Sequence, residues 1–277
     1  LFGLNQYADY AKSQGRPIIG GDGIDPRWYN DPNLFPALPP FTNGMIAGLQ
    51  HFVAEGASRL GVVYCLEIAK LCSYANDTIM KSPVGKYVVA NEQVSLVAPS
   101  YTSQCLRMQA AKVEVLYLLM ETAGTERFVQ DCATQGYRPK YVALALSATA
   151  DYPKADILQG TYIPGATVPP SETELPIVAE FLAALAKYSP GVEASGNNSL
   201  GWADGLILGL AGAHLSDNPT VAELRDNLWK VKSDTLGGFM APVTYRKDQP
   251  AIPSTCIFLW GVKNHKFYAP QGTKPSC

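Results

Sequence analysis

Pro17-Ile18-Ile19-Gly20-Gly21-Asp22-Gly23, followed by a proline-rich loop that returns at Asn33-Leu34-Phe35-Pro36, decides how this chain is read. A short apolar run entering a glycine turn reads as a buried strand, and Leu34-Phe35 as a second short strand beside it. Glycines directly after a buried strand let the backbone come close to a neighbour. In an open parallel sheet, ligands gather at the strand ends.

Outward from this stretch, strands and helices alternate. Thr42 to Glu55 carries Met45, Ile46, Leu49, Phe52 and Val53 at helical spacing, and Leu60 to Tyr64 is a buried strand. A helix over Glu67 to Met80, an extended run over Tyr87 to Leu96 and a helix over Thr102 to Lys112 follow. Val115 to Leu119 (strand), Thr122 to Gln135 (helix) and Tyr141 to Leu146 (strand) complete the series. Such alternation predicts an α/β fold with right-handed βαβ units, a parallel sheet and helices on both faces. Before it, the chain opens inside what reads as an amphipathic helix with Leu4, Tyr7, Ala8 and Ala11 on one face and Gly15 as its C-terminal stop.

The texture changes near Gly160. Gly160 to Pro170 is extended. Ser171 with Glu174 and Thr220 with Glu223 have capping-box spacing, predicting helices over Ser171 to Lys187 and Thr220 to Val231. Between them Ser199 to Ala213 is an apolar, glycine-rich helix suited to close packing. Phe239 to Tyr245 and Cys256 to Val262 return to strand character. Helix-rich sequence after a run of βα units reads as two lobes.

The 277 residues, 47% hydrophobic and 17% charged, suffice for a sizeable core. A formal net charge of -2 without basic runs argues against nucleic acid or a membrane surface as partner. No apolar run approaches the roughly 18 residues of a membrane span. The chain starts at Leu1 without Met or a first strand, as expected of a processed or truncated chain.

Catalytic signatures are missing: there is no GxSxG, no GxxxxGK[ST] and no HExxH, and Pro26 occupies the third glycine position of a dinucleotide fingerprint. The scattered His51, His214 and His265 make no zinc-like cluster with cysteines, so neither metal nor cofactor is expected. Six cysteines, Cys65, Cys72, Cys105, Cys132, Cys256 and Cys277, point to disulfides in an oxidising compartment, with 15 pairings open to them. Asp22, Glu67 and Glu121 each follow a strand, where they serve either as helix caps or as ligand-facing acids. Tyr64, Trp202, Trp28 and Tyr29 lie at the ends of predicted elements, where rings line pockets or pack in cores.

In order and spacing, Pro17-Ile18-Ile19-Gly20-Gly21-Asp22-Gly23, Asn33-Leu34-Phe35-Pro36, Val62-Val63-Tyr64-Cys65 and Tyr101-Thr102-Ser103-Gln104-Cys105 resemble one known family. Asp131-Cys132-Ala133-Thr134-Gln135-Gly136-Tyr137-Arg138-Pro139, Leu236-Gly237-Gly238 and Cys256 continue the likeness. The family is the type I periplasmic substrate-binding proteins of ABC importers, in the branched-chain amino-acid-binding branch. The resemblance implies a two-lobed α/β fold with parallel sheets flanked by helices and three interlobe crossovers, near Pro40, Pro164 and Arg246. Residues 1-39 with 165-245 would form the first lobe, its N-terminal part missing, and 40-164 with 246-277 the second.

The resemblance further implies a periplasmic or cell-surface protein, made with a signal peptide, that closes on a small polar ligand and delivers it to a membrane permease. The same resemblance implies no enzymatic activity and no direct membrane insertion. Near-neighbour cysteines would pair: Cys65 with Cys72, Cys105 with Cys132, Cys256 with Cys277. Ligand contacts are expected from Asp22, Gly23 and Trp202 in one lobe and from Tyr64, Glu67, Glu121, Thr122 and Ser147 in the other. Amino-acid-binding members carry hydroxyl residues in the turn after the first strand, where this chain has Gly20-Gly21-Asp22-Gly23, so amino acids and small carboxylates are both contenders. Two other readings stand beside this one: a sensory receptor domain of the same fold, and a hydrolase or lyase using Glu67 and Glu121.

Overall fold

The computed structural model describes residues 4–277, so the first three positions of the expected opening helix lie outside the described residues. The chain forms two compact units. One comprises residues up to Gly44, Ala166–Phe258 and Thr273–Cys277; the other comprises Met45–Gly165 and Leu259–Gly272.

In the first unit, helix α1 (Leu4–Ser13) buries Ala8 and Ala11 while Tyr7 is 61% exposed, so Tyr7 lies off the expected apolar face. Strands β1 (Ile18–Ile19) and β2 (Leu34–Phe35) pair in parallel, Ile18 opposite Leu34 and Ile19 opposite Phe35. Between them the 3-10 turn Pro26–Tyr29 is opened by Asp25, whose carboxylate accepts from the Arg27 N–H at 2.9 Å. Arg27 ties Asp9 of α1 to Asp31, at 2.6 and 2.9 Å. Trp28 packs with Ala8 and Leu34 in a small core.

Helix α2 (Phe41–Ala54) leads to β3 (Leu60–Cys65), and α3 (Ala69–Lys81) to β4 (Val88–Val94). Then come α4 (Thr102–Ala110), β5 (Val115–Leu119), α5 (Thr122–Thr134), β6 (Lys140–Ala143) and β7 (Tyr162–Gly165). With β8 (Phe258–Lys263) and β9 (Lys266–Tyr268) they make one sheet in the order β4-β3-β5-β6-β7-β8-β9. The pairs from β4 through β7 are parallel; β8 and β9 form an antiparallel hairpin. Strand β5 is buried along its whole length, as a central parallel strand covered on both faces requires. Strand β6 stops at Ala143, short of the expected Leu146, because the chain enters a 3-10 turn at Ala145–Ser147.

Back in the first unit, α6 (Pro176–Tyr188), α7 (Gly196–Gly212) and α8 (Val221–Leu228) follow. The expected helix start at Ser171 is wrong. Pro176 sits in the first turn of α6, and Leu175 before it is extended and makes no side-chain cap. Proline pre-sets the first helical position and holds its predecessor out of the helical region. The Thr220–Glu223 capping box is formed, and α7 starts from a reciprocal Ser195–Asn198 cap, ahead of the expected Ser199. The packed face of α7 is Ser199, Ala203, Ile207 and Ala211. A Cβ on Gly201, Gly205 or Gly209 would meet nothing within 4 Å, so these glycines do not serve close packing as expected. Phe239 to Tyr245 contributes isolated bridges, Thr167 with Met240 and Asp234 with Val243, in place of a strand. Pro242 lacks a ladder donor and interrupts it.

Three disulfides join Cys65 to Cys72, Cys105 to Cys132 and Cys256 to Cys277, the near-neighbour pairing the resemblance implies. The first ties the end of β3 to α3, and the second ties α4 to α5 across β5.

Candidate functional site

In the sheet unit, the candidate residues lie at the carboxyl ends of the parallel strands. Tyr64 is half-buried next to the end of β3, Glu121 and Thr122 follow β5, and Ser147 follows β6. Thr122 Oγ1 donates to the Ser147 carbonyl at 2.7 Å, and Ser147 Oγ donates to the Met120 carbonyl at 2.5 Å. These crossed bonds lock the β5 and β6 ends together. With both hydroxyl protons committed inward, each oxygen keeps only acceptor capacity for a ligand.

Glu121 caps α5: its carboxylate accepts from the Gly124 N–H at 2.6 Å, favourable at a positive helix N-terminus. Glu67 does not cap α3, whose N-cap residue is Ile68 without a side-chain bond. Its carboxylate instead accepts from Ser95 Oγ at 2.5 Å and from the Leu96 N–H at 2.8 Å. These two bonds, the Ser95 hydroxyl first, hold its pKa below the usual value, which suits an ionised acceptor and works against a general acid.

Two residues at this edge were not anticipated. Arg127 of α5 lies 3.9 Å from Glu121, donates to the Leu96 carbonyl and sits 5.9 Å from the Tyr101 ring centroid. Tyr101 donates to the Ser95 and Leu96 carbonyls, at 2.8 and 3.2 Å. Together they fix the loop that holds Glu67. Arg127 belongs to an amphipathic helix with several charges, and its position gave no distinguishing signal.

In the other unit, the glycine turn after β1 is shaped by the protein's own side chains. Gly20, Gly21 and Gly23 all have positive φ, at 87°, 127° and 63°. A Cβ on Gly20 would lie 2.6 Å from Asp204 Cγ, one on Gly21 would overlap the Trp28 indole, and one on Gly23 would strike the Pro39 carbonyl. Trp28 therefore supports the turn from the core. Tyr29 packs against the same core and is half-buried. Asp22 accepts from the Ile24 N–H at 3.0 Å, an Asx turn that leaves carboxylate capacity over.

Asp204, on α7, is the main residue that sequence reasoning missed. Burial pushes its pKa up to about 6, opposed by the Gly21 N–H it accepts and reinforced by the nearby Asp22 charge. Its Oδ1 is buried without a hydrogen-bond partner. The available signal was a lone carboxylate within an otherwise apolar, glycine-rich helix. Trp202, two residues earlier, is half-buried with its ring centroid 5.8 Å from that of Phe181. It lies within α7, not at the expected exposed helix start, and its Nε1 is also buried without a partner. Among the described residues no group of three or more His, Cys, Asp or Glu is placed to hold a metal ion.

A family model described as periplasmic binding protein matches residues 4–266. The chain belongs to the periplasmic binding protein family. No curated protein is a match. Among solved structures, the chain is similar to a substrate-binding periplasmic protein from Ralstonia solanacearum at 19% identity and TM-score 0.77, covering 96% of this chain and 76% of that one. A possible leucine/isoleucine/valine-binding protein from Rhodopirellula baltica has 13% identity and TM-score 0.76, over 94% of this chain and 72% of its own. An ABC-transporter solute-binding protein from R. palustris, solved in complex with benzoate, has 16% identity and TM-score 0.72, over 97% and 74%. At these identities the likeness is one of fold, the type I periplasmic-binding-protein architecture. Family membership gives this periplasmic binding protein a solute-binding role and suggests an extracytoplasmic setting, in keeping with its three disulfides. Among the described residues no helix is long and apolar enough to cross a membrane.

Proposed function

We propose that this chain is the solute-binding component of an ABC importer, that it takes an amine-bearing small ligand of the amino-acid class, and that it hands the ligand to a membrane permease without chemical change. Each unit carries its own candidate ligand contacts: Asp22, the Gly23 backbone, Trp202 and Asp204 in one, and Tyr64, Glu67, Glu121, Thr122 and Ser147 in the other.

One observation carries the choice of ligand class. Most of the polar groups at the two candidate surfaces are acceptors, namely the carboxylates of Asp22 and Asp204 and the hydroxyls of Thr122 and Ser147 whose protons are already donated inward, with Trp202 Nε1 and Arg127 as the side-chain donors beside them. An ammonium group supplies three donors to such a set, whereas a simple carboxylate ligand supplies none. Arg127 is the cation available to balance a ligand carboxylate at the sheet edge.

Native mass spectrometry of the purified protein tests the reading, followed by binding of an amino acid and its N-acetyl derivative. An unmodified, amine-bearing small molecule that binds at least tenfold more tightly than its N-acetyl form is the expected result. Equal binding of both, or preference for an aromatic carboxylate without an amine, contradicts the ligand class. Turnover of the bound molecule that is lost on replacing Glu67 or Glu121 by Gln contradicts the transport role.

A further inference from the structure

The turn after β1 is anchored at both ends. The Gly20 N–H donates to the Phe35 carbonyl at 2.9 Å, and the Gly23 carbonyl accepts from the Phe41 N–H at 3.2 Å. Between these anchors Asp204 leans on the turn from α7. A Cβ on Gly20 would lie 2.6 Å from Asp204 Cγ and 2.9 Å from its Oδ2, and the Gly21 N–H is turned toward the carboxylate. The other oxygen, Oδ1, is buried without a hydrogen-bond partner. An unmet buried acceptor costs more when it carries charge than when it is neutral.

The groups that face Asp204 add to that cost. Asp22 stands in the turn itself, and its negative charge opposes ionisation of Asp204. Tyr245 faces Asp204 from the segment after Val243, with Tyr29 near it, and burial pushes both phenols up, so both stay neutral. The Tyr245 hydroxyl already donates to the Pro36 carbonyl at 2.8 Å. Cations on the adjoining elements are engaged elsewhere: Arg27 with Asp9 and Asp31, Arg225 of α8 with the Gly15 carbonyl and Asn33, and Lys232 with the Tyr245 carbonyl. Among the described residues neither Asp22 nor Asp204 has an ion-pair partner.

We propose that Asp204 is a pH-operated latch on the Gly20–Gly23 turn: protonated, it lies against Gly20 and holds the turn shut; ionised, it repels Asp22, and the Gly21–Asp22 peptide swings out until water reaches Oδ1. The proton passes to solvent. Three positive-φ glycines give the segment the backbone freedom to move. The shut form holds the proton more tightly than an open, hydrated carboxylate does, so closure is favoured at low pH and weakens as pH rises through about 6. The part of the latch in binding rests on the amine-ligand reading above. An ammonium set between the two carboxylates replaces the proton as the neutralising charge, so proton and ligand compete. The latch itself belongs to the ligand-free chain and stands or falls without a ligand.

The test is amide hydrogen exchange of the whole ligand-free chain at pH 5 and pH 7.5, expressed as protection factors corrected for the intrinsic exchange rate. Protection at Gly21 and Asp22 should fall about tenfold between the two, while the turn at Gly56 keeps its own. Asp204→Asn should hold the turn protected at both pH values, and Asp22→Asn, an independent variant, should move the loss of protection to lower pH. Thermal unfolding of each variant verifies folding. Equal protection of the parent turn at the two pH values overturns the proposal, as does a parent-like pH dependence in both variants. Methylammonium at pH 7.5 should restore protection, and tetramethylammonium, with the same charge but no N–H donor, should not. If the pH dependence is present and methylammonium restores nothing, the latch is upheld and the amine reading alone is contradicted.

Discussion

The Asp204 carboxylate lies against the Gly20 backbone so closely that a Cβ on Gly20 would come within 2.6 Å of Asp204 Cγ. The turn after β1 is thus shaped by a carboxylate from α7, far from it in sequence, and by the Trp28 indole from the loop that follows it.

Gly20→Ala and Gly21→Ala should each be strongly destabilising. Each adds a left-handed backbone penalty to a steric clash, at φ of 87° and 127°. The loss should be on the order of 2 to 4 kcal/mol in urea unfolding. Gly56→Ala, also at positive φ but with nothing within 4 Å, should cost only about 1 kcal/mol.

Asp204 should impose a pH dependence of definite sign. Its folded pKa, about 6, lies above the unfolded value of 3.8, so the folded state holds the proton more tightly. Stability from this group is then fully present below about pH 4 and is lost as pH rises through 6. Asp204→Asn should flatten the thermal melting profile over that window. At pH 7.5 it should raise stability on the order of 1 kcal/mol, after discounting for the partial exposure of the group. If Asp204 also holds a ligand amine, the same variant loses affinity while gaining stability, a split that a purely structural role would not give.

The three disulfides should account for all six thiols. Thiol titration of the denatured, unreduced protein should find none free. Replacing Cys105 and Cys132 by Ala opens a closure of 27 residues and should cost roughly 2 to 4 kcal/mol. Loss of Cys65–Cys72 should cost less stability but loosen the turn that carries Glu67, read as faster amide exchange at Leu66 and Glu67.

Much of the fold was legible because burial leaves a periodic trace. The apolar runs at Leu60–Cys65 and Val115–Leu119 could only be covered parallel strands, and the Thr220–Glu223 spacing marked a helix start. What failed was local competition. Pro176 overrode the Ser171 cap, and Pro242 broke the expected strand at Phe239 to Tyr245. The candidate site was legible only along the chain: strand ends placed Tyr64, Glu121 and Ser147 correctly at one sheet edge. Contacts between distant segments leave no pattern, so Asp204 behind Gly20 emerged only from the structure, as did Arg127 beside Glu121 on a helix with several charges.

The most direct test of the solute-binding role is isothermal titration calorimetry of the purified, ligand-stripped chain against a panel of amino acids, their N-acetyl derivatives and small aromatic carboxylates. The account predicts saturable binding of one amine-bearing ligand per chain, a rise in melting temperature that follows the ligand's affinity, and a loss of at least tenfold in affinity on Thr122→Val. Absence of heat and of any melting shift across the panel, from a chain that unfolds cooperatively, would contradict it.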